Sequence, residues 1–477
     1  MKGARFEVTG PVIPLRDLGA VHVLAIGGAG MSALARLFLD AGVQVSGSDA
    51  NDSPLLHALA QRGATVHVGH DPAYLQGADT VVVSSAIRED NPELMAARAA
   101  GLRILHRSQA LASLMQARTR VAVAGANGKT TTTSMLTVAL IEAGADPSFA
   151  IGGELAELGV NARLGAGEPF VVEADESDGS FLAYRPQVAI VTNVQPDHLD
   201  FYGTFAAVQA AYGQFVASIP AGGLLVACAD DSGSAALAES ARRAGTRVVT
   251  YGRAAGADLV VGPASFSGLS GSASLTRAGA PARELSVSLP GEHNLLNGAA
   301  AFLAATDGLG LDADAVLQGI AAYSGTRRRF EPKGEVAGVR VVDDYAHNPA
   351  KVAAVVSAGG HVAAPGRLVV CFQPHLYSRT RDFAAEFGAA LRGADVVVVL
   401  DIYGAREDPV PGVSSHLISQ AAREAGVPEV HDVVGLGQAA TRLAELARQG
   451  DLVLTVGAGD VTRVGPELLS RLAQAHG

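Results

Sequence analysis

The chain has 477 residues, 48% of them hydrophobic and 17% charged, with a formal net charge of −11; that length needs two or three cores, and that composition excludes a disordered chain. No basic cluster is denser than Arg327–Arg329 and no apolar run reaches the length of a membrane span, which argues against a nucleic-acid binder and against membrane insertion. Cys228 and Cys371 are the only cysteines, giving neither a disulfide framework nor a cysteine metal site, and the charged, proline-bearing opening segment lacks a signal core, so a soluble cytoplasmic protein is the expectation.

Short β-rich runs alternate with alanine-rich helical stretches, the pattern of parallel sheets with crossover helices. The first segment opens with strand "VHVLAIG", helix "MSALARLFLDAG" and strand "VQVSGSD", and continues through "TVVVSSA" to the helical "SQALASLMQ". Between its first strand and helix, Gly28-Ala29-Gly30-Met31-Ser32-Ala33 fits G-x-G-x-x-A, and Asp49 ends the next strand nineteen residues beyond Gly30. Such glycines let the backbone approach a diphosphate at a helix N-terminus while the acid takes a ribose hydroxyl. An NAD-linked oxidoreductase and a nucleotide-sugar binder both fit, since any diphosphate meets the same helix end. Tight-turn glycines with a capping aspartate are the purely structural alternative.

After the polar break Ala117-Arg118-Thr119-Arg120, strand "VAVAG" leads into Gly125-Ala126-Asn127-Gly128-Lys129-Thr130 and the helix "TTTTSMLTVALIEAG". The standard phosphate loop, G-x-x-x-x-G-K-[ST], would need glycine where Val123 stands, so this loop is shorter by two. It still offers the free N–H groups of a helix start, a lysine cation and the Thr130 hydroxyl, a set suited to a triphosphate with Mg²⁺. Because Lys129 falls on a loop, its replacement is expected to leave folding nearly unchanged. "FVVEADESD" supplies Glu173, with Asp175, Glu176 and Asp178 beyond, and "VAIVTNVQPDHLD" brings Asp197 and His198 to a second strand end. Ligands bind at the carboxyl edge of such sheets, which makes ATP with magnesium the favoured ligand.

The second segment runs on through "GLLVACADD" and "RVVTYG" into a Gly/Ser-rich stretch from 262 to 282, expected as antiparallel strands and turns, and then helix "HNLLNGAAAFLAAT". Past "SGTRRRFEPKGE" the third segment offers strands "VRVVDDYAH", "RLVVCFQPH", "DVVVVLDIY" and "DLVLTVGAGD". The fold expected is three consecutive α/β domains: Rossmann-like over 1–117, a P-loop ATPase-like parallel sheet with a small antiparallel section over 118–327, and Rossmann-like over 328–477. Two nucleotide-type loops in separate domains weigh against a simple dehydrogenase, which has no need of a triphosphate loop.

The blocks "GGAGMSALA", "GANGKTTT", "EADESDGSF", "TNVQPDHLD", "PGEHNLLN", "GTRRRFE", "DDYAHNP", "FQPHLYSRT" and "GAGD" follow one another along essentially the whole chain. In that order the chain resembles the Mur ligases, ATP-dependent amide-forming enzymes of bacterial cell-wall precursor synthesis, which use the shortened loop. The resemblance implies a UDP-sugar held by Gly28, Ala29, Gly30, Met31, Asp49, Ser84, Ser85 and Arg107. It implies ATP on Gly125, Asn127, Gly128, Lys129, Thr130 and Thr131, with His293, Asn294 and Asn297 on the adenine side and Arg328 and Arg329 reaching in from the third domain. Lys129, Glu173, His198, Arg329 and Asp344 are then catalytic; of two Mg²⁺ ions, Thr130 and Glu173 serve the first and His198 the second. Tyr345, His347 and Arg379 would hold the amino acid. From spacing alone, Arg379 is equally placed to pair with Asp382, and the resemblance tips it toward substrate.

"GGAGMS", "DDYAHNP" and "FQPHLYSRT" select, within the family, the joining of L-alanine to the lactyl carboxylate of UDP-N-acetylmuramate through an acyl phosphate. A relative that recycles a tripeptide onto the same nucleotide sugar is the alternative, followed by an NAD-linked oxidoreductase and a non-catalytic nucleotide-sugar binder. Three positions depart from relatives. Asn127 replaces a histidine common in the alanine-adding members, and Leu376 stands where some relatives have arginine. Tyr212 occupies the place of a lysine that several Mur ligases carbamylate, so the second metal is expected without carbamate. Monomer and homodimer are equally compatible with the sequence.

Overall fold

Several largely apolar strands have water on neither face. Val21–Leu24, Thr80–Val83, Val188–Val191, Leu224–Cys228, Val396–Val399 and Leu452–Val456 are buried at every position, as strands covered by helices on both faces must be. The computed structural model describes residues 8–405 and 407–476. They form two compact units: the chain up to Pro263 with Ala273–Ser286 and Leu295–Tyr323, and Ala264–Ser272 with Val287–Asn294 and the chain from Ser324 on. Among the described residues no helix is long and apolar enough to cross a membrane.

In the first unit, five parallel strands stand in the order Thr65–Val68, Val45–Asp49, Val21–Leu24, Thr80–Val83, Arg103–His106. This is a Rossmann order, and the order reverses beside Val21–Leu24, where such sheets bind ligands. A second sheet of the same unit runs Arg247–Gly252, Leu224–Cys228, Val188–Val191, Thr119–Ala124, Pro169–Glu173, Ser148–Ala150, all parallel. Ala162–Arg163 adds to it antiparallel. At the other end Leu259–Val261 pairs parallel with Arg247–Gly252 and antiparallel with Leu275 and Thr276, so the Gly/Ser-rich stretch does turn antiparallel. One core includes Leu34, Leu37 and Phe38 of the first segment with Phe170, Phe181 and Phe215 of the second.

The helix Lys129–Glu142 is buried at every position from Thr130 to Leu140. A run of β-branched threonines is a poor helix former in water. Here Thr133 and Thr137 donate to the carbonyls four residues back, at 2.7 and 2.8 Å, so their hydroxyls are satisfied within the helix.

The second unit holds a six-stranded sheet ordered Glu331–Val336, Val339–Asp344, Leu452–Val456, Leu368–Phe372, Val396–Val399, Glu429–Asp432. Its first pair is antiparallel and the others are parallel. The period of two in a strand separates its faces: Val370 and Phe372 enter one core, Val369 and Cys371 the other.

A charged network lies enclosed against the first sheet. Glu93, in the first turn of helix Pro92–Ala99, is fully buried and bonds His22 Nε2 at 2.7 Å, Ser48 Oγ at 2.9 Å and His70 Nδ1 at 2.9 Å. Burial pushes its carboxyl up, but these donors more than offset it and leave it below its ordinary value. Its contribution to stability is therefore complete above the ordinary carboxylate range and is lost as pH falls through the lower folded value. Glu93→Gln is expected to cost about 3 kcal/mol at neutral pH and to flatten the acid limb of stability, both read by urea unfolding followed by circular dichroism. An acid limb as steep as that of the wild type would exclude Glu93 from it.

Candidate active site

Strand Thr119–Ala124 delivers the chain to a loop that requires glycine at two points. Gly125 has φ +143° and a Cβ there would sit 1.9 Å from Thr192 Oγ1; Gly128 has φ +85° and a Cβ there would come 2.7 Å from Asn297 Oδ1. Gly128 caps helix Lys129–Glu142, whose first-turn N–H groups are suited to an anion. Neighbouring side chains brace the loop. Asn127 N–H donates to Asn193 Oδ1 at 2.9 Å, and the Asn127 carbonyl accepts from the Thr192 hydroxyl at 2.6 Å and Asn193 Nδ2 at 3.0 Å. The Asn127 side chain donates to Gln195 Oε1 at 3.1 Å, while its own Oδ1 is buried without a partner among the described residues.

Lys129 does not reach out into solvent. It opens the helix, its side chain is 12% exposed, and Nζ donates to the Gly125 carbonyl at 2.7 Å and to Glu176 Oε1 and Oε2 at 2.9 and 2.8 Å. The expectation that its replacement leaves folding unchanged is thereby corrected: Glu176 is 2% exposed and would be left as an uncompensated buried carboxylate. Burial pushes the Lys129 ammonium down, but Glu176, Asp175 and Glu173 more than offset it and hold it above its ordinary value. Burial, joined by the charge of Asp175, holds the Glu176 carboxyl above its ordinary range against the opposing pull of Lys129.

The run that follows strand Pro169–Glu173 sends its carboxylates in different directions. Glu173 Oε1 accepts the Thr130 hydroxyl at 3.0 Å and Oε2 the Gly152 N–H at 2.8 Å. Asp175 stands 3.6 Å from Arg107 Nη2, and Asp178 accepts the Ser85 hydroxyl and lies 3.6 Å from His106 Nε2. Burial raises the Asp175 carboxyl, but Lys129 and Arg107 more than offset it and leave it low. His198 takes the left-handed conformation, φ 53°, ψ 37°, before the short helix Leu199–Tyr202, with Nε2 3.7 Å from Glu176 Oε1.

Asp175, Glu176 and His198 each offer a ligand atom, and these lie within 4.8 Å of one another. With the Thr130–Glu173 pair beside them, the donors are mostly hard oxygens with one imidazole, a set that fits Mg²⁺ or Mn²⁺. The sequence set His198 apart from Thr130 and Glu173, for a second ion; the geometry adds Asp175 and Glu176 beside it, which the acidic run displayed without showing which way each turned. Tyr212 is 1% exposed, stands edge-on to Phe181 at 5.5 Å, and its hydroxyl has no partner among the described residues. Burial and then the charge of Glu176 push that hydroxyl well up, so it is neutral where a carbamate would be an anion.

On the first sheet, Gly28 precedes helix Ala29–Asp40, and Asp49 accepts the N–H groups of Gly27 at 3.0 Å and Asn51 at 3.1 Å. Met31 sends its side chain into the core and leaves only its backbone for a ligand. The Ser84 carbonyl accepts the Ile87 N–H at 3.2 Å in the turn that presents Ser85. Burial drives the His106 imidazole down to about 4, so it is neutral at physiological pH, and its Nε2 lies 3.1 Å from Ser85 Oγ. Arg107 Nη1 is 3.5 Å from where a Cβ on Gly30 would stand. Burial works against the Arg107 charge, but Tyr184, Asp175, Asp178 and Glu173 more than offset it. Gly30, Leu34, Leu37, Arg107, Glu173 and Tyr184 line one cavity of about 130 Å³.

In the second unit Asp344 ends strand Val339–Asp344, buried, accepting the N–H groups of Phe330 at 2.9 Å and Ala346 at 2.8 Å. Burial holds its carboxyl up against the pull of Arg329. Arg328 donates to the carbonyls of Gly457 at 2.6 Å and Gly459 at 3.0 Å, and the guanidinium carbons of Arg328 and Arg329 lie 4.7 and 5.5 Å from the Tyr345 ring centre. His347 Nδ1 donates to the Tyr345 carbonyl at 2.9 Å, and burial keeps the imidazole neutral, so Nε2 is an acceptor. Arg379 Nη1 donates to the His347 carbonyl at 3.2 Å, whereas Asp382, the partner that spacing allowed, is bonded to Arg381 at 2.7 Å. Tyr345, His347 and Arg379 are thus neighbours. Leu376, just before helix Tyr377–Ala390, has φ +70°, a region that side chains rarely adopt. Burial pushes His293 down, and Asn294 Nδ2 donates to the Pro290 carbonyl at 2.8 Å.

Three family descriptions match the chain in succession: "Mur ligase family, catalytic domain" over 20–119, "Mur ligase middle domain" over 123–305, and "Mur ligase, glutamate ligase domain" over 328–459. A UDP-N-acetylmuramate–L-alanine ligase of Kineococcus radiotolerans is 58% identical over 98% of this chain and all of its own. The ligase of that name from Renibacterium salmoninarum is 53% identical over 97% of each. Among solved structures, UDP-N-acetylmuramate-alanine ligase from Thermotoga maritima superposes with TM-score 0.80 at 28% identity, covering 96% of this chain and 99% of its own. A murein peptide ligase from Psychrobacter arcticus gives TM-score 0.67 at 25% identity, covering 95% and 98%.

Removing one partner of an enclosed ion pair costs more than removing both. Lys129→Ala is expected to lower stability by about 3 kcal/mol, and the double variant Lys129→Ala/Glu176→Gln to recover most of it, as read by urea unfolding. A single variant as stable as the wild type would show that the pair is not enclosed.

Proposed function

Because the chain belongs to the Mur ligase family, we propose that it joins L-alanine to the lactyl carboxylate of UDP-N-acetylmuramate in the cytoplasm, consuming ATP, as a step of peptidoglycan precursor synthesis. The observation that carries this reading is the run Glu173–Asp178. Its carboxylates bind Lys129 and Thr130 of the triphosphate-type loop on one side and approach Ser85 and Arg107 beside the diphosphate-type loop on the other. Neither an oxidoreductase nor a protein that only binds a nucleotide sugar has a use for the first loop. The curated relatives at 50–58% identity named for alanine, and a TM-score of 0.80 to the alanine ligase against 0.67 to the murein peptide ligase, favour alanine over tripeptide recycling. In this reading residues 1–117 hold the UDP-sugar, 118–327 hold ATP, and 328–477 bring the amino acid and further nucleotide contacts.

A carboxylate is a poor electrophile, so the γ-phosphoryl group passes first to the lactyl carboxylate. The alanine amine then attacks the acyl phosphate at its carbonyl carbon, and phosphate leaves. Negative charge builds on the transferring phosphoryl group and then on the tetrahedral intermediate, which makes fixed cations and N–H groups the main tools. Lys129 and the backbone of Gly125, Asn127, Gly128, Thr130 and Thr131 cradle the phosphates. Thr130 and Glu173 would hold one divalent cation, and His198 with Asp175 and Glu176 a second, whose charge would offset that on the phosphoryl oxygens. His293, Asn294 and Asn297 serve the adenine side, and Arg328, Arg329 and Asp344 the nucleotide from the third domain. Gly28, Ala29, Gly30 and Met31 offer backbone to the diphosphate, with Asp49, Ser84, Ser85 and Arg107 around the rest of the UDP-sugar. Arg379, beside Tyr345 and His347, grips the alanine carboxylate in bidentate fashion and leaves the amine facing the acyl phosphate.

ADP release is expected only with UDP-N-acetylmuramate and L-alanine both present, and NAD should change nothing. Full-rate ATP hydrolysis with either substrate omitted, or hydride transfer, would overturn the reading. Arg379→Lys keeps the charge but loses the fork, so the KM for alanine should rise clearly while that for ATP changes much less. An unchanged alanine KM would remove Arg379 from the pocket.

A further inference from the structure

Glu176 has claims on it from two cations. An ammonium has three N–H donors, and those of Lys129 are matched by the Gly125 carbonyl and both Glu176 oxygens, at 2.7, 2.9 and 2.8 Å. The same carboxylate belongs to the group with Asp175 and His198 whose ligand atoms lie within 4.8 Å. Two atoms bound to one Mg²⁺-sized ion, each about 2.1 Å from it, lie no more than about 4.2 Å apart; His198 Nε2 and Glu176 Oε1, 3.7 Å apart, already meet that limit. Such an ion would stand within about 5 Å of the ammonium, because both bind the same carboxylate, and the 2% exposure of Glu176 leaves little water there to screen their mutual repulsion. The outer phosphates of a nucleotide, seated at the helix start that Lys129 opens, offer the lysine another anion.

We propose that Lys129 and a divalent cation occupy Glu176 alternately, and that the nucleotide's phosphates decide between them by drawing the lysine away. Glu176 is then a positioning residue for Lys129 and a ligand for the cation, and nucleotide and cation bind with positive coupling through this one carboxylate. Coupling of this kind is reciprocal: whatever frees Glu176 for the metal also frees Lys129 for phosphate. The inference rests on the reading of the loop as an ATP site.

Two binding measurements on the full chain test it, neither needing turnover. Without nucleotide, Mn²⁺ binding followed by electron paramagnetic resonance should be tighter in Lys129→Met than in the wild type, on the order of tenfold. Adding Glu176→Gln to that variant should abolish the gain. Without metal, in EDTA, ATP binding by calorimetry should be tighter in Glu176→Gln than in the wild type by a similar factor, because the lysine no longer has to leave an anion. The second arm stands if Lys129→Met does not fold. Equal Mn²⁺ affinity in Lys129→Met and wild type, or ATP binding that Glu176→Gln leaves unchanged or weakens, overturns the inference alone. Absence of ATP binding by the wild type overturns it together with the ATP-site reading.

Discussion

A carboxylate taken out of water must find a cation or a set of donors, and the run Glu173–Asp178 brings four of them to the end of one strand. That requirement fixes much of the surrounding geometry. Glu173 takes a hydroxyl from Thr130 and an N–H from Gly152; Asp175 draws Arg107 close; Glu176 encloses the Lys129 ammonium; Asp178 gathers Ser85 and His106. Each of these partners lies at the start of a helix, in a strand-end turn or next to a glycine loop. Satisfying the acids therefore sets where anionic substrates meet backbone N–H groups. Four acids on their own would repel phosphate, but with their partners they hold cations at the edge of the site.

The three sheets repeat one logic at different places. Strands with both faces covered give most of their side chains to packing, so chemistry gathers where the strands end. In the first sheet this yields Asp49 and the glycine loop, in the second Lys129, Glu173 and His198, and in the sheet of the second unit Asp344, Tyr345 and His347. The conformations at these ends are often ones a regular strand or helix does not supply. His198, Arg328 and Leu376 all have positive φ, and each stands within a few residues of groups assigned to ligands.

Long apolar runs and the loops that follow them were legible in the sequence because burial on both faces leaves a periodicity-free hydrophobic signature that composition alone reveals. The shortened loop at Gly125 was legible for a similar reason, since its meaning lies in adjacent residues. Short elements at or next to a sheet edge were not: Ser148–Ala150, Ala162–Arg163 and Glu429–Asp432 are defined by the neighbours they pair with rather than by their own pattern. The partners of charged side chains were the least legible part. Nothing in "EADESD" says that Glu176 rather than Glu173 meets Lys129, or that Asp382 is taken by Arg381 and leaves Arg379 beside His347. The enclosed set His22, Ser48, His70 and Glu93 was invisible for the same reason, its members being scattered over 71 residues of chain.

The cavity lined by Gly30, Leu34, Leu37, Arg107, Glu173 and Tyr184 has a pharmacological consequence. Its apolar wall comes from the helix behind the diphosphate-type loop, while Glu173 in its polar wall also holds Thr130. A small molecule lodged there, with a greasy body on the leucines and a basic group toward Glu173, would disturb residues proposed for both nucleotides through a single point of attachment. Because Gly30 and Arg107 in its wall are residues proposed for the UDP-sugar, the molecule would compete with the nucleotide sugar, while through Glu173 it would also weaken the binding of ATP with its cation. Resistance through the polar wall would also be costly to the cell, because the side chains that hold the drug are those that hold the two loops in place.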